Sequence, residues 1–391
     1  LKPEHDPLST LPDSSIGIPL FLPVHFPGRD KWLQSRGFES SGSDRLDPRS
    51  SGVVLRLAAE FDADRLGSSP EARGIAPLPG GFQVLAELPG AAANCEEPWS
   101  SLVRWSSRVG PEVRLDLGRN VFRRVSIGSP LVMGIVNVTP DSFSDGGEFL
   151  DPDQAFSAAI RMLDEGAEIV DVGGESTRPG AAPVSVEEET RRVVPVIERI
   201  SAARPAAVIS VDTRNAQVAQ RAASAGARMI NDVSGLRNDP AIAAVAAGEG
   251  LAVVLGHMRG TPESMQREAR YLDLVGEVAD ALADSVDRAR QAGVPFQRIL
   301  IDPGIGFGKT GEHNIEILRA LPVFRAIAAA LVIGVSRKRF LGEITGRGGP
   351  KERLGASLAA AAAAAERGVS IVRVHDVGET ADGIKVRAAI G

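Results

Sequence analysis

The chain holds one cysteine, Cys95, in 391 residues. A lone thiol excludes an intrachain disulfide and a cysteine-built zinc cluster, and a reducing cytoplasm is the compartment that fits. Long apolar runs are missing too: the richest stretch, the alanines at 359–365, ends on Glu366 and Arg367, so no transmembrane helix is expected. The opening LKPEHDPLSTLP sets no basic patch ahead of an apolar core and does not read as a signal peptide. Nor is there a long basic run. With a formal net charge of −6, a broad footprint on nucleic acid is not expected, and any anion must be held locally.

What is present is an ordinary globular composition, 43% hydrophobic and 24% charged, with material for a substantial core. Residues 1–111 are loop-like: Pro, Gly and Ser clusters separate short apolar runs such as VVLRLAAEF and FQVLAEL, and Trp32, Trp99 and Trp105 all lie here. This stretch is expected to be an N-terminal extension or small accessory domain, of small α+β or partly disordered structure, without a part in chemistry.

Residues 112–391 read differently. From about Leu131 a short β-branched run, a polar loop and a longer helical pattern ending in glycine alternate about eight times. The candidate strands are LVMGIVNV, AEIVDVGG, AAVISVDT, RMINDVSG, LAVVLGHM, ILIDPG, LVIGVSR and IVRVHDV, each mostly apolar, as strands buried on both faces must be. Asp151-Pro152 reads as an N-cap followed by proline at the first helical position, and Ser185 with Glu188 as a capping box. Eight βα units in this length predict a (β/α)8 TIM barrel, with a doubly wound open sheet as the alternative. The preceding VRLDLGRNVFRRVSI reads as a hairpin that could cap the barrel floor.

Each candidate strand ends in polar groups: Asn137, the run Glu175 to Arg178, Asp212, Asn231, His257, Asp302, Ser336 with Lys338, and Arg373 with His375. In a barrel these ends meet on the face that carries active sites. Taken singly, an Asp or Asn there is as well explained as the next helix's N-cap. Asp212, Asn231 and Asp302 would share one apolar-walled mouth, and no arginine is adjacent in sequence to supply the donors a buried carboxylate needs. A ligand with a paired N–H edge would supply them; a divalent metal held by two carboxylates is the other reading. Six of the 44 basic residues are lysine, and Lys309 and Lys338 fall in the loops FGKT and SRKRF. PGIGFGKT ends like a phosphate-binding loop but has Pro303 where a Walker A motif needs glycine, leaving a glycine loop with Phe307 available to cover a flat ligand. Arg373 and His375, two apart on the last strand, point to one side and with Asn137 make a pyrophosphate-sized site, unless they are simply solvated.

LVMGIVNVTPDSFSDGG at 131–147 and EIVDVGGESTRPGA at 168–181 resemble the signature stretches of the dihydropteroate synthase family, and the likeness continues through SVDT, INDVSG, HMRG, IDPGIGFGK, GVSRKRFLG and VRVHDV. It covers residues 112–391 and leaves the N-terminal part out. The resemblance implies a barrel enzyme that joins 6-hydroxymethyl-7,8-dihydropterin pyrophosphate to 4-aminobenzoate with Mg²⁺ present, by a dissociative route in which pyrophosphate leaves first. It implies a pterin site of Asp212, Asn231, Met258, Asp302 and Lys338, and a pyrophosphate site of Asn137, Arg373 and His375, with Asn137 near the Mg²⁺. Thr177, Arg178, Pro179, Phe307 and Ser336 would hold the aminobenzoate. Asp141 and Phe143 would organise a closing first loop, and Asp212, Lys338, Arg373 and His375 would carry catalysis. A homodimer is the family's usual state. Gly256 stands where the family commonly has a bulkier residue, and looser packing behind the pterin pocket is the expected consequence. Two other functions stay in view: a corrinoid-linked methyltransferase, which should lack the NVTPDSFSDGG and STRPG loops, and a regulatory paralogue that binds pterin without turnover.

Overall fold

The computed structural model describes residues 112–138, 152–176 and 184–390 apart from 262–263, 266 and 326, together with the backbone of four strands nearer the N-terminus. Those four, β1 (Leu20–Leu22), β2 (Gly52–Ala58), β3 (Ala72–Leu78) and β4 (Gly81–Glu87), pair antiparallel in the order β1-β2-β4-β3. The two apolar runs singled out above supply the central pair, β2 and β4, which face each other from Gly52↔Glu87 to Ala58↔Gly81.

A hairpin of β5 (Glu112–Asp116) and β6 (Phe122–Ser126) comes next. Asp116 Oδ1 accepts the Gly118 N–H at 3.0 Å, and Arg119 and Asn120 turn the chain with φ of +48° and +62°. Eight strands follow: β7 (Leu131–Asn137), β8 (Ile169–Gly173), β9 (Val208–Asp212), β10 (Met229–Asp232), β11 (Ala252–Gly256), β12 (Ile299–Asp302), β13 (Ala330–Ile333) and β14 (Ile371–Val374). They are the eight expected from the apolar runs. All pair in parallel, and β14 pairs with β7, so the sheet closes into a barrel and the open-sheet alternative falls. Every residue of β8, β9, β11 and β13 is buried, which is why these strands show no alternation of apolar and polar residues.

Helices α1 (Pro152–Asp164), α2 (Val186–Ala203), α3 (Ala216–Ala225), α4 (Ala241–Glu249), α5 (Leu274–Gln291), α6 (Gly311–Arg319), α7 (Leu321–Phe324), α8 (Arg339–Thr345), α9 (Leu354–Glu366) and α10 (Val377–Ile390) run between and after the strands. Pro152 is the first residue of α1, as expected. Ser185 caps α2 by accepting the Glu188 N–H at 3.2 Å, but the Glu188 carboxylate turns to Arg191 and Arg192 and leaves the box half made. Gly226 and Gly250 close α3 and α4 in the left-handed conformation, where a side chain would be strained.

The barrel interior is sealed at its N-terminal end. Leu115 and Leu117, both with 0% of their surface exposed, and Val125 pack against Leu131, Met133, Ile169, Val208 and Met229, so the hairpin plugs the floor. Arg298 Nε holds Asp116 at 2.7 Å, and the Arg119 N–H donates to the Gly250 carbonyl at 2.6 Å, which ties the hairpin to the barrel. Leu115→Ala is expected to cost about 2–5 kcal/mol, the range for a buried leucine whose cavity cannot collapse, read as a lower midpoint in urea unfolding. With the floor filled, the open space of the barrel interior lies toward the opposite mouth, where a cleft is found.

Candidate active site

Strand register sets the polar residues at a common height: Gly173 faces Asp212 across β8 and β9, Asp212 faces Asn231 across β9 and β10, and Gly256 faces Asp302 across β11 and β12. Above them lies a cleft of ≈ 580 Å³, counted out to the solvent. Asn231, Asp302, Lys338, Arg373 and His375 line it together with Phe307 and Ser336, and Ile135, Val233 and Ile305 give it apolar walls. Apolar walls around a few converging polar groups are the usual composition of a small-molecule site.

At the centre sits Arg373. Its Nε donates to Asp171 Oδ2 at 2.6 Å and its Nη2 to Asp212 Oδ2 at 2.8 Å. Asn231 Nδ2 donates to the same Asp171 oxygen at 2.9 Å. The donor that Asp212 needs thus comes from β14, 161 residues further along the chain, and not from a ligand. The expectation drawn from the missing neighbouring arginine is corrected on this point: a barrel brings its last strand beside its first, so sequence distance is no guide. The Asp171 and Asp212 carboxylates converge on this guanidinium rather than on an open position. Burial pushes Asp212 up to about 7 against the pull of Arg373, and the charge of Asp171 adds to the rise. Asp171, with 0% of its surface exposed, was not singled out from sequence. A lone Asp in the apolar run EIVDV, on a strand buried on both faces, was the available signal.

Asp302 is the second acidic focus. The Gly304 N–H donates to its Oδ1 at 2.7 Å, burial raises its carboxyl, and Lys338, Arg373 and Lys309 work in the opposite sense. Lys338 Nζ donates to the Ile305 carbonyl at 2.7 Å and lies 4.7 Å from the centre of the Phe307 ring. Its own pKa is pushed down by burial to about 8, with Asp302 pulling it back up. The glycine loop therefore packs Phe307 beside a cation. On the far side of the cleft His375 Nδ1 lies 3.1 Å from Ser336 Oγ, and the His375 N–H donates to that hydroxyl at 3.2 Å. Arg337, at φ +58°, makes a two-pronged ion pair with Asp376 at 2.6 and 3.1 Å, which clamps the loop after β13 to the loop after β14.

Asn137 ends β7 with its Oδ1 near Gly173, where a Cβ would come within 3.8 Å of it and 3.7 Å of Asp212 Oδ2. Met258 is buried with 3% of its surface exposed, but it is not among the residues lining the cleft; its carbonyl accepts from Arg237. Gly256 does not loosen the packing. A Cβ there would lie 2.7 Å from Val233 Cα and 2.8 Å from its carbonyl oxygen, so the backbone after β10 fills the space a side chain would take. Thr177, Arg178, Pro179, Asp141 and Phe143 lie outside the described residues. The segment holding the first three is tied at its flanks: Glu175 makes a two-pronged pair with Arg214 at 2.9 and 3.0 Å and accepts the Val184 N–H at 3.3 Å. Among the described residues no three His, Cys, Asp or Glu side chains are grouped to hold a metal, and no helix is long and apolar enough to cross a membrane.

The sequence profile of the pterin-binding enzyme family matches residues 133–375. A dihydropteroate synthase of Escherichia coli (strain K12) is 47% identical over 262 residues, which cover 67% of this chain and 92% of the relative. Among solved structures, Xanthomonas albilineans dihydropteroate synthase with 4-aminobenzoic acid superposes with a TM-score of 0.65 at 45% identity, over 71% of this chain and 98% of that one. The same organism's enzyme in complex with 7,8-dihydropteroate gives 0.62 at 43% identity, over the same shares.

Proposed function

This chain belongs to the pterin-binding enzyme family, among its dihydropteroate synthases, and on that premise we propose how the barrel mouth joins 6-hydroxymethyl-7,8-dihydropterin pyrophosphate to 4-aminobenzoate. It is a transferase. The observation that carries the assignment of roles is the convergence of Asp302, Asn231, Lys338, Arg373 and His375 on one cleft above a plugged barrel.

In this reading the pterin lies flat in the cleft with its N–H edge on Asp302 and Asn231, since a carboxylate's two acceptors match a paired donor edge. Lys338 takes the carbonyl and ring-nitrogen side. Arg373, His375 and Asn137 hold the pyrophosphate. Phe307 and Ser336, with Thr177, Arg178 and Pro179, hold the aminobenzoate, and Asp141 and Phe143 close the first loop over the site. The bond from the exocyclic methylene carbon to the pyrophosphate oxygen breaks with its electron pair on oxygen. The arylamine nitrogen then attacks the cationic carbon and gives its surplus proton to solvent. Asp212, when ionised, faces the developing cation while Arg373 and His375 face the departing anion, so both interactions strengthen as charge separates. No side chain forms a covalent bond with substrate.

Magnesium fits as an ion brought in with the pyrophosphate: it keeps most of its water and asks for only one or two protein oxygens. The Asn137 carboxamide oxygen beside Asp212 is such a donor. The ion would neutralise charge on the leaving group. The chemistry falls to residues 112–391, and the N-terminal part to an accessory role. A homodimer in the cytoplasm completes the reading, supported by the lone cysteine and by an apolar surface on α10, where Val386 and Ile390 are 60% and 83% exposed.

The test is pyrophosphate release from purified protein given the dihydropterin pyrophosphate and Mg²⁺, with and without 4-aminobenzoate. Release that depends on the arylamine and yields dihydropteroate is expected. Tight pterin binding without product would favour the regulatory paralogue instead.

A further inference from the structure

Lys309 and His257 form a buried pair that the proposed chemistry leaves unused. Lys309 ends the glycine loop with 3% of its surface exposed, and His257 follows β11 with 5% exposed. Lys309 Nζ lies 2.9 Å from His257 Nδ1 and donates to the Phe307 carbonyl at 3.1 Å. An ammonium has donors and no acceptor, so this contact needs a lone pair on Nδ1. Burial, and after it the charge of Lys309, hold His257 well below the ordinary histidine range, which keeps that lone pair available.

The pair sits directly under the loop that shapes one end of the cleft. The His257 N–H donates to the Asp302 carbonyl at 2.9 Å. Gly304, at φ +72°, packs so closely on the His257 carbonyl that a Cβ would come within 1.8 Å of its oxygen. The same loop aims the Gly304 N–H at the Asp302 carboxylate and sets Phe307 against Lys338.

We propose that Lys309 is a positioning residue of the pterin pocket: held by His257, it pins the glycine loop beneath Asp302 and, when protonated, places a positive charge behind that carboxylate. The inference rests on the pterin reading of the cleft. The charged and titratable groups facing Lys309 are Asp302 of β12, Lys338 beyond β13, Arg237 after β10, His257 and Arg259 after β11, and His313 of α6. Burial brings Lys309 down to about 7, with Asp302 pulling it back up. Reciprocally, Lys309 is one of the cations that lower the carboxyl of Asp302. Removing that charge raises the Asp302 carboxyl further, so the loss of pterin affinity on acidification sets in at a higher pH.

Calorimetry with the dihydropterin pyrophosphate across pH, together with steady-state kinetics, tests this on the full chain with Lys309→Met and Lys309→Arg. Lys309→Met should weaken pterin binding about tenfold or more, the effect of losing a charged hydrogen-bond partner. It should raise the pterin KM more than it lowers kcat and move the acid limb of affinity to higher pH. Lys309→Arg, which keeps the charge, should return the limb toward its parent position. A second readout needs no substitution: only six lysines are present, so isotope-labelled lysine allows the Lys309 titration to be followed by NMR. Coupling between two sites is reciprocal, so pterin must shift its midpoint. Lys309→Met binding pterin as the parent does, with the limb in place, overturns the inference. So does a Lys309 midpoint that pterin leaves unmoved, which decides the matter if the variant fails to fold. A parent protein that binds no pterin would instead overturn the reading of function beneath it.

Discussion

Asp302→Ala is expected to weaken pterin binding by about a hundredfold or more, since truncating one partner of a buried, hydrogen-bonded charge pair costs about 2–5 kcal/mol. Two ligand N–H donors would lose their acceptor together, and Lys338 would lose the negative charge that holds its pKa up. The fold should tolerate the change. Burial raises the Asp302 carboxyl above its unfolded value of 3.8. The folded chain then holds that proton more tightly than the unfolded chain, and the contribution of this group to stability falls as pH rises from the unfolded value through the folded one. Above that interval the ionised, unliganded Asp302 is thus a cost to the apo fold, kept for binding. Alanine removes that cost but leaves the Gly304 N–H without its partner, and the two effects oppose each other. The melting temperature without ligand should therefore move by no more than about 8 °C in either direction, while calorimetry finds little or no pterin binding. An Asp302→Ala protein that binds pterin like the parent would show the pocket to be wrongly assigned.

The contrast between Asp302 and Asp171 shows what was legible in the sequence. Asp302 stands at the end of ILID ahead of PG, where the apolar run stops and a loop must start, so its place at a strand end could be read directly. Asp171 lies inside EIVDV, and its strand is buried on both faces. The lone Asp in an apolar run is a local signal, but nothing local names the partners it takes. Its partners, Asn231 and Arg373, are 60 and 202 residues away. The eight strands and the floor hairpin were legible because periodicity and turn residues are local properties. The pairing of charges across the barrel was not, because closure alone brings β14 beside β7 and aims Arg373 across the mouth. Gly256 shows the same limit from the other side: a small residue suggested slack, whereas the Val233 backbone already fills the space. Lys309 lies between these cases. Its scarcity and loop position marked it as unusual, but only the fold supplied His257.

The Asp171–Arg373–Asp212 network predicts two substitutions with opposite pH signatures. Arg373→Met removes the cation that faces the departing pyrophosphate, and kcat should fall about 10²–10³-fold, as for loss of one preorganised electrostatic donor. It also strips Asp212 of the charge that most lowers its pKa, while Asp171, Glu189 and Asp232 still raise it. Asp212, already pushed up by burial to about 7 in the parent, should then hold its proton to higher pH, so the acid limb of kcat moves upward. Asp171→Asn acts in reverse: one raising charge is gone and Arg373 is left to Asp212, so the limb should move downward. The stability of the apo protein follows the same sign. A carboxyl raised from 3.8 to about 7 gives a fold that loses stability as pH climbs through that interval, because the unfolded chain releases the proton first. Asp171→Asn should shrink that loss. Arg373→Met should lower stability, since breaking a buried ion pair by removing one partner costs about 3–5 kcal/mol unless the stranded carboxyls take up protons. Kinetics of pyrophosphate release between pH 5 and 9 on both variants, with melts over the same range, would read both effects. Limbs that move in the same direction would mean that Asp212 does not govern the pH dependence, and the cation-facing role given to it would have to pass to another group.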